Sequence, residues 1–295
     1  MEPLVIRAPA KINLCLDVLG RRPDGYHEVA TILQTIDLAD RLRIVRDDDV
    51  VLHCHGMGVD QDNLILRAAN LLREHAGIGA GCSIECWKRI PIGAGLGGGS
   101  ADAAAALVGL NTLWKTGLRI NDLSELAAKL GADVPFFLHG GTALATGIGT
   151  ALRPLRDAPR HWLVLVPIEA DDVAKSANMY RALTTGDFGD SERARRQAAA
   201  VELGRIAYAD VGSSFTRPAA ARWRAVTGAM DSLAQTSPLA VSLSGAGPSV
   251  FALYASRAAA RAAQRAIGPP ATVRMFRSSA ESDVRRFPLS NAAHS

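Results

Sequence analysis

The sequence has few cysteines and no long apolar run. Four cysteines (Cys15, Cys54, Cys82 and Cys86) in 295 residues are too few for a disulfide scaffold, so we interpret them as reduced thiols. Purely apolar stretches such as Trp162–Ile168 are far shorter than the about 20 residues that a membrane-spanning helix needs. Glu2, Arg7 and Lys11 interrupt the apolar N-terminal stretch, which excludes a secretory signal. We therefore expect a cytoplasmic protein that contacts no membrane.

The sequence also has only a small net charge and few aromatic residues. The net charge is +4, from 33 basic and 29 acidic residues, and aromatic residues make up 5%. Such a mild excess suits an acidic small ligand such as a phosphate ester. Because no strand combines basic residues with regularly placed aromatics, we expect no nucleic-acid partner. We expect a monomer or a weak homodimer.

The composition is that of a globular protein, with 48% hydrophobic and 21% charged residues. The length favours two domains, which we place at 1–158 and 159–295. Strand and helix patterns are mixed without strict alternation, which predicts an α+β, two-layer α/β fold. The predicted strands and helices that matter below are strands Val5–Ala10, Asn13–Leu19, Thr31–Leu38 and Arg41–Val45, and helices Asn63–His75 (capped by Asp62), Ser100–Trp114 and Ala219–Leu233.

A glycine-rich segment, Pro91–Ala101, carries the clearest functional signal. It has five glycines in the seven residues 93–99, between a predicted strand and a predicted helix. Glycines allow close approach of the backbone to an anion, and a helix N-terminus offers unpaired N–H groups. It is not a Walker A loop, because no Gly-Lys-Ser/Thr occurs. Gly93, Gly95 and Gly98 match G-x-G-x-x-G, but the acidic residue of a dinucleotide fold is missing, since Asp122 lies in a helix cap.

Three separated motifs carry a resemblance to a known family. Pro91–Ala101 resembles the nucleotide loop of the galactokinase, homoserine kinase, mevalonate kinase and phosphomevalonate kinase (GHMP) superfamily. Pro9–Leu14 with Asp24–His27 resembles its N-terminal motif, and Leu243–Phe251 its C-terminal motif. Together with Gly131–Phe137, these segments are similar to the branch that phosphorylates the 2-hydroxyl of 4-diphosphocytidyl-2-C-methyl-D-erythritol. That reaction is a step of the methylerythritol phosphate route to isoprenoid precursors.

The resemblance runs from about residue 7 to 255 and implies a two-domain kinase with its active site in the cleft between the domains. It implies ATP as co-substrate, with Mg²⁺ accompanying it, and a small-molecule cytidine diphosphate substrate. The residues implied for ATP binding are Asn63, Lys88, Pro91, Ile92, Gly93, Ala94, Gly95, Leu96, Gly97, Gly98, Gly99, Ser100 and Ala101. Asn63 and Lys88 have ordinary alternatives, as a residue at a helix N-terminus and as a lysine at a strand edge.

Two residues are the catalytic candidates. Phosphoryl transfer to an alcohol needs a base for the hydroxyl proton and positive charge near the phosphoryl group. Asp133 aligns with the family's catalytic aspartate, although Asp133 followed by Pro135 is also a typical helix-capping pattern. Lys11, between apolar neighbours, is the second candidate, and a solvated strand lysine is its alternative.

The substrate-binding candidates rest on the resemblance. Tyr26 and His27, which follow a turn, and more weakly Tyr180, correspond to residues that contact the cytosine. Asn13 is expected beside Lys11. Gly245 and Gly247 correspond to a second glycine turn that holds the substrate diphosphate.

Departures and alternatives remain. Ser213 and Ser214 stand where the family usually has Asn-Asp, which puts contacts from the C-terminal part in doubt. His53, Cys54, His55, Cys82 and Cys86 suggest zinc only weakly, because neighbouring strand residues point to opposite faces, and we expect no bound metal of the protein's own. Other candidate functions are a homoserine or mevalonate kinase, a silent ligand-binding relative and a basic nucleic-acid binder.

Overall fold

The computed structural model describes residues 2–56, 58–169, 175–278 and 284–285. Its strands are β1 (Leu4–Arg21), β2 (His27–Asp47), β3 (Val50–His55), β4 (Gly81–Trp87), β5 (Thr142–Gly147), β6 (Ala151–Pro154), β7 (Trp162–Val166), β8 (Gly212–Ser213), β9 (Ala240–Leu243), β10 (Val250–Tyr254), β11 (Thr272–Met275) and β12 (Val284–Arg285). Its α-helices are α1 (Leu64–His75), α2 (Gly98–Trp114), α3 (Ile120–Leu130), α4 (Val134–His139), α5 (Lys175–Arg181), α6 (Glu192–Glu202), α7 (Thr216–Arg222), α8 (Arg224–Ala234) and α9 (Arg257–Ile267).

The strands form two sheets. The larger sheet has the order β12-β1-β2-β4-β3, with β5 on β2, β6 on β5 and β8 on β1. The smaller sheet has the order β11-β7-β10-β9. Helices α1 to α4 cover one face of the larger sheet, and this mixture of sheets and helices confirms the predicted α+β fold. No helix in the described part of the chain is both long and apolar enough to cross a membrane.

The four strands predicted in the first 47 residues are two long ones. The register of β1 against β2 shifts between Pro9 and Lys11, between Asn13 and Cys15, and between Val18 and Gly20. Each shift is a bulge-like irregularity that bends a strand without ending its pairing. Because the pairing continues through these shifts, the separate predicted strands join into β1 and β2. The prediction was wrong in number, and correct in which residues are extended.

Helix α2 packs very closely against the larger sheet. A Cβ atom on Gly109 would come within 2.3 Å of Ile6 Cδ1 and 2.6 Å of Ile44 Cδ1. Small residues fill the preceding turns of this helix, and most of them are buried. The helix therefore lies close enough to the sheet for its N-terminus to meet the residues of β1.

Two helix predictions need correction. Asn63, and not Asp62, caps α1, because its side-chain oxygen accepts a hydrogen bond from the Ile65 N–H at 2.9 Å. The predicted helix Ala219–Leu233 is two helices, α7 and α8, that meet at Trp223. Trp223 has extended backbone and packs against buried residues of the smaller sheet's layer, so tertiary packing interrupts the helical pattern.

The two halves of the chain share strands and core. Strands β8 and β12, from the C-terminal half, both pair with β1. One buried cluster combines Ile12 of β1 with Leu165 of β7 and Phe251 of β10. The boundary between residues 158 and 159 stays a prediction, and β1 lies where the two halves meet.

Candidate active site

A cleft of about 1210 Å³ gathers the predicted site residues. Its lining includes both catalytic candidates, every substrate-binding candidate, and Asn63, Lys88 and residues 91–100. Ala101 lies outside the lining, because it is buried in α2 and its N–H donates to the Gly97 carbonyl at 2.9 Å. The cleft therefore unites residues that lie more than 200 positions apart in the sequence.

Lys11 and Asp133 face each other in this cleft. Lys11 Nζ lies 3.4 Å from Asp133 Oδ2 and donates a hydrogen bond to Asn13 Oδ1 at 2.9 Å. Asn13 in turn donates to Thr31 Oγ1 at 2.8 Å, which fixes the orientation of its amide. Asp133 occupies the N-cap position of α4, yet its side chain makes no capping hydrogen bond. Its carboxylate therefore faces the lysine and the cleft.

The glycine-rich segment wraps around the same lysine. Gly97, with a φ of 73°, is the N-cap of α2, and a Cβ there would lie 2.7 Å from the Phe137 ring and 3.1 Å from Lys11 Cγ. The Lys11 N–H donates to the Leu96 carbonyl at 2.9 Å, which ties the segment to β1. Only glycine fits at residue 97, since a side chain there would be strained and would displace the lysine.

The second glycine turn, Ser244–Ser249, lies directly against the first. Ser244 Oγ donates to the Gly95 carbonyl at 3.2 Å, and the Ser249 N–H donates to the Ala94 carbonyl at 3.3 Å. A Cβ on Gly245 would lie 3.0 Å from Asn13 Oδ1 and 3.5 Å from Lys11 Nζ. The two turns and Lys11 thus form one cradle, which has the positive charge and the close-lying backbone that an anionic ligand requires.

Aromatic rings line the other end of the cleft. The His27 ring stacks on Tyr180 with centroids 4.9 Å apart and an angle of 27° between the planes, and Tyr180 meets Phe215 edge-on. Burial, with a smaller contribution from Asp133, raises the pKa of Tyr180 to about 12, and burial lowers the pKa of His27. Both rings are therefore neutral near pH 7. Tyr26 is 62% exposed, so a ligand can reach its ring freely.

Lys88 lies in a separate group of charges at the cleft wall. Its Nζ donates to Asp40 and, at 2.5 Å, to Asp102 Oδ2, and both carboxylates are buried. Burial opposes the charge of Lys88, but the two carboxylates outweigh it and raise its pKa. Burial raises the pKa of Asp102 to about 7. Sequence patterns had not singled out Asp40 or Asp102, although Asp102 stands alone between alanines, the same signal that singled out Lys11.

The serines that replace the family's Asn-Asp pair have structural partners. Ser213 Oγ donates to the Gly245 carbonyl at 2.8 Å and accepts from the Phe215 N–H. Ser214 Oγ accepts from the Val18 N–H at 3.1 Å. These serines therefore support the second glycine turn and β1.

The cysteines and histidines suggested for zinc lie on β3 and β4. Cys54 pairs in register with Cys86, and the His55 ring stacks on Trp87 at 4.9 Å. Among the described residues, no three histidine, cysteine or acidic side chains form a group that could hold a metal ion.

Comparisons with known proteins agree with this geometry. Residues 63–141 match the family described as "GHMP kinases N terminal domain", and residues 192–269 match "GHMP kinases C terminal". The fold and the cleft thus define a GHMP kinase, which confirms the resemblance drawn from the three motifs.

Individual relatives show to which branch of this superfamily the chain is most similar. A 4-diphosphocytidyl-2-C-methyl-D-erythritol kinase of Pelotomaculum thermopropionicum is 43% identical over 86% of this chain and 90% of its own length. A relative of the same name from Bacillus pumilus is 50% identical over 60% of this chain, and the match spans 63% of that protein. A crystal structure of 4-(cytidine 5'-diphospho)-2C-methyl-D-erythritol kinase superposes with a TM-score of 0.79 at 36% identity, covering 92% of this chain and 98% of that one. The chain belongs to the 4-diphosphocytidyl-2-C-methyl-D-erythritol kinase family.

Proposed function

We propose that the chain transfers the γ-phosphoryl group of ATP to the 2-hydroxyl of 4-diphosphocytidyl-2-C-methyl-D-erythritol. The observation that carries this proposal is the pair Lys11 and Asp133, 3.4 Å apart, inside the cleft that both glycine turns line. An anion cradle, a cation and a partly exposed carboxylate are the groups that phosphoryl transfer to an alcohol needs in one place.

Asp133 accepts the proton of the attacking hydroxyl. Its side chain is 40% exposed, so a substrate hydroxyl can reach it, and Lys11 Nζ lies 3.4 Å from its Oδ2. Lys11 also offsets negative charge that develops on the phosphoryl oxygens. Asn13 holds the lysine, since its side-chain oxygen accepts from Nζ.

In this proposal, ATP and the cytidyl substrate bind at different ends of the cleft. Residues 91–100 bind the ATP phosphates, with Asn63 and Lys88 on the adenine side, and Gly245 and Gly247 contact the substrate diphosphate. His27, Tyr180 and Tyr26 bind the cytosine. Stacking of a base on an aromatic ring contributes about 1–3 kcal/mol, which is enough to distinguish a cytidine compound from a small acyclic alcohol.

Mg²⁺ accompanies ATP in this proposal. The described part of the cleft offers single oxygen donors, such as Ser100 and Asp133, and no cage of three carboxylates. That donor set suits Mg²⁺, which keeps several waters and binds through nucleotide phosphates and one or two side chains. When bound, the ion neutralises charge on the phosphates.

The decisive experiment measures ADP release with four candidate ligands in parallel: the cytidyl substrate, homoserine, mevalonate and RNA. We expect turnover with the cytidyl compound alone. Turnover with homoserine or mevalonate, and none with the cytidyl compound, would refute the proposal.

Two histidine variants test the aromatic end. His27 and His55 each stack on an aromatic ring at 4.9 Å, but only His27 lines the cleft. His27→Ala should raise the KM for the cytidyl substrate about 5- to 100-fold, because it removes one side of the base site. His55→Ala is the matched control and should leave KM unchanged; equal effects would contradict the placement of the cytosine.

We also propose that the protein is a monomer or a weak homodimer. We propose that it is cytoplasmic. Light scattering across a range of protein concentrations measures the state of association.

A further inference from the structure

An ion pair with two hydrogen bonds lies behind the aromatic end of the cleft. Arg217 Nε donates to Asp187 Oδ1 at 2.7 Å, and Arg217 Nη2 donates to Asp187 Oδ2. The guanidinium side chain is 55% exposed, but the carboxylate side chain is only 6% exposed. Both residues lie outside the lining of the cleft, and the proposed phosphoryl transfer gives neither of them a role.

The same arginine also holds the end of a helix and the turn that follows it. Arg217 Nη2 donates to the Ala182 carbonyl at 3.1 Å, directly after α5. The last carbonyls of a helix have no partner inside the helix, so a side-chain donor satisfies them. Asp187 Oδ2 accepts from the N–H and the hydroxyl of Thr184, at 2.7 and 2.8 Å. One guanidinium group therefore fixes α5 and residues 182–187 together.

The two segments that this ion pair joins both carry rings of the cleft. Phe188 follows Asp187, lines the cleft and meets the His27 ring edge-on with centroids 6.4 Å apart. Phe215 lies two residues before Arg217, lines the cleft and meets Tyr180 edge-on at 4.9 Å. The ion pair therefore sets the separation of two cleft walls without touching the cleft itself.

The turn has a second anchor on β1. The Gly189 N–H donates to the Val18 carbonyl at 2.9 Å, and a Cβ on Gly189 would lie 2.9 Å from Asp17 Oδ1. At its other anchor, hydrogen bonds from Arg217 hold the pKa of Asp187 well below its ordinary value, so this carboxylate is ionised near pH 7. Loss of the arginine would leave the turn held at one end only.

We propose that the Arg217–Asp187 pair, the clamp, positions the aromatic walls of the cleft and thereby sets the affinity for the cytidyl substrate. This inference rests on the proposed function, which places the cytosine between these walls. Both members of the clamp are positioning residues, because they act through the rings and touch no reacting atom. A planar guanidinium suits this role, since its paired N–H groups fix the direction of a carboxylate as well as its distance.

Steady-state kinetics with each substrate varied in turn test the clamp. Arg217→Gln should raise the KM for the cytidyl substrate about 5- to 50-fold, because displaced rings stack poorly on the base. The KM for ATP and kcat should stay within about twofold of the native values, since the clamp affects binding of one substrate only. Arg217→Lys keeps the charge but not the paired donors, so its KM should be intermediate.

A second pair of the same kind provides the matched control. Arg196 of α6 binds Asp210 through Nε at 3.0 Å and Nη2 at 2.6 Å, and it is also a largely exposed arginine on a largely buried carboxylate outside the cleft lining. Arg196→Gln should leave both KM values unchanged. Asp187→Asn should act as Arg217→Gln does, and the double variant should add nothing further, because either change breaks the same contact.

The outcomes separate the clamp from the function on which it rests. If the native protein phosphorylates the cytidyl substrate and Arg217→Gln has the native KM for it, the clamp is overturned alone. The clamp is also overturned if Arg196→Gln raises that KM equally, or if Arg217→Gln raises the KM for ATP as much. Loss of folded enzyme lowers the apparent kcat and leaves KM unchanged, so simple destabilisation does not imitate the expected result. Absence of turnover by the native protein would refute the proposed function and the clamp together.

Discussion

Two lysines of the cleft are each paired with carboxylates, but the two sites differ in solvent access. Lys11 meets one carboxylate, Asp133, whose side chain is 40% exposed. Lys88 meets two, Asp40 and Asp102, whose side chains are 0% and 4% exposed. The same residue types therefore form a solvent-accessible pair in one case and a buried network in the other, because only the first leaves an oxygen that a ligand can approach.

The largest expected effect comes from the exposed carboxylate. Asp133→Asn removes the proposed base and should lower kcat about 10²- to 10⁴-fold, with a much smaller change in KM. Stability should change little, because the side chain is partly hydrated and caps no helix. Steady-state kinetics and thermal unfolding of the variant measure both quantities. Turnover near that of the native protein would mean that Asp133 is not the base.

The next largest expected effect is a difference in stability between variants of Lys88 and Lys11. Lys88→Met leaves two buried carboxylates without a counter-charge, so it should lower the free energy of unfolding by about 3–5 kcal/mol. Lys11→Met should lower it by less, about 1–3 kcal/mol, because Asp133 can be hydrated and only the buried Asn13 Oδ1 loses its donor. Urea unfolding of both variants gives the comparison. An equal loss in the two variants would contradict the distinction between them.

The buried network also predicts a pH dependence. Burial raises the pKa of Asp102 from 3.8 to about 7, so the folded state binds this proton more tightly than the unfolded state. Stability from this group therefore falls as the pH rises from about 4 to about 7. Asp102→Asn removes the titration, so its Tm relative to the native protein should be higher at pH 8 than at pH 5, by at least about 2 °C. Parallel Tm curves from pH 5 to 8 would refute this assignment.

A further prediction compares two adjacent glycines of the glycine-rich segment. Gly97→Ala places a Cβ at a φ of 73° and 2.7 Å from Phe137, so we expect a loss of about 1–2 kcal/mol in stability and a lower kcat as Lys11 moves. Gly98→Ala is the comparison variant, because its backbone is helical and has no positive φ, although an added Cβ there would also come within 3.0 Å of Ile90 Cγ2. A larger loss of activity in Gly98→Ala would contradict the role given to Gly97.

Features that depend on interactions between residues close together in the sequence were predicted correctly. Helix α2 was expected at Ser100–Trp114 and spans Gly98–Trp114, since its composition of small helix-forming residues acts within the segment itself. The glycine turns were recognisable because positive φ angles and close contacts favour glycine at particular positions. Lys11, Asn13, Tyr26, His27, residues 91–100, Gly245 and Gly247 of the cleft could therefore be named from three short motifs.

Features that depend on contacts between residues far apart in the sequence were not predicted. Asp40 is 48 positions from Lys88 in sequence, so no local pattern reveals that they meet. The break at Trp223 and the joining of β8 to β1 likewise depend on contacts between distant segments. The meeting of Arg7 and Arg41 depends in the same way on the register of β1 against β2.

The amino-acid sequence by itself determined the α+β class and the glycine turns, because these follow from residue type and short spacing, and its resemblance to a known family selected Lys11 and Asp133 as the catalytic candidates. Only the tertiary structure decided which charges are open to a ligand and which neutralise each other in the interior. The physical reason is that the energy of a charge depends on the water and the partners around it, and the folded chain alone sets both.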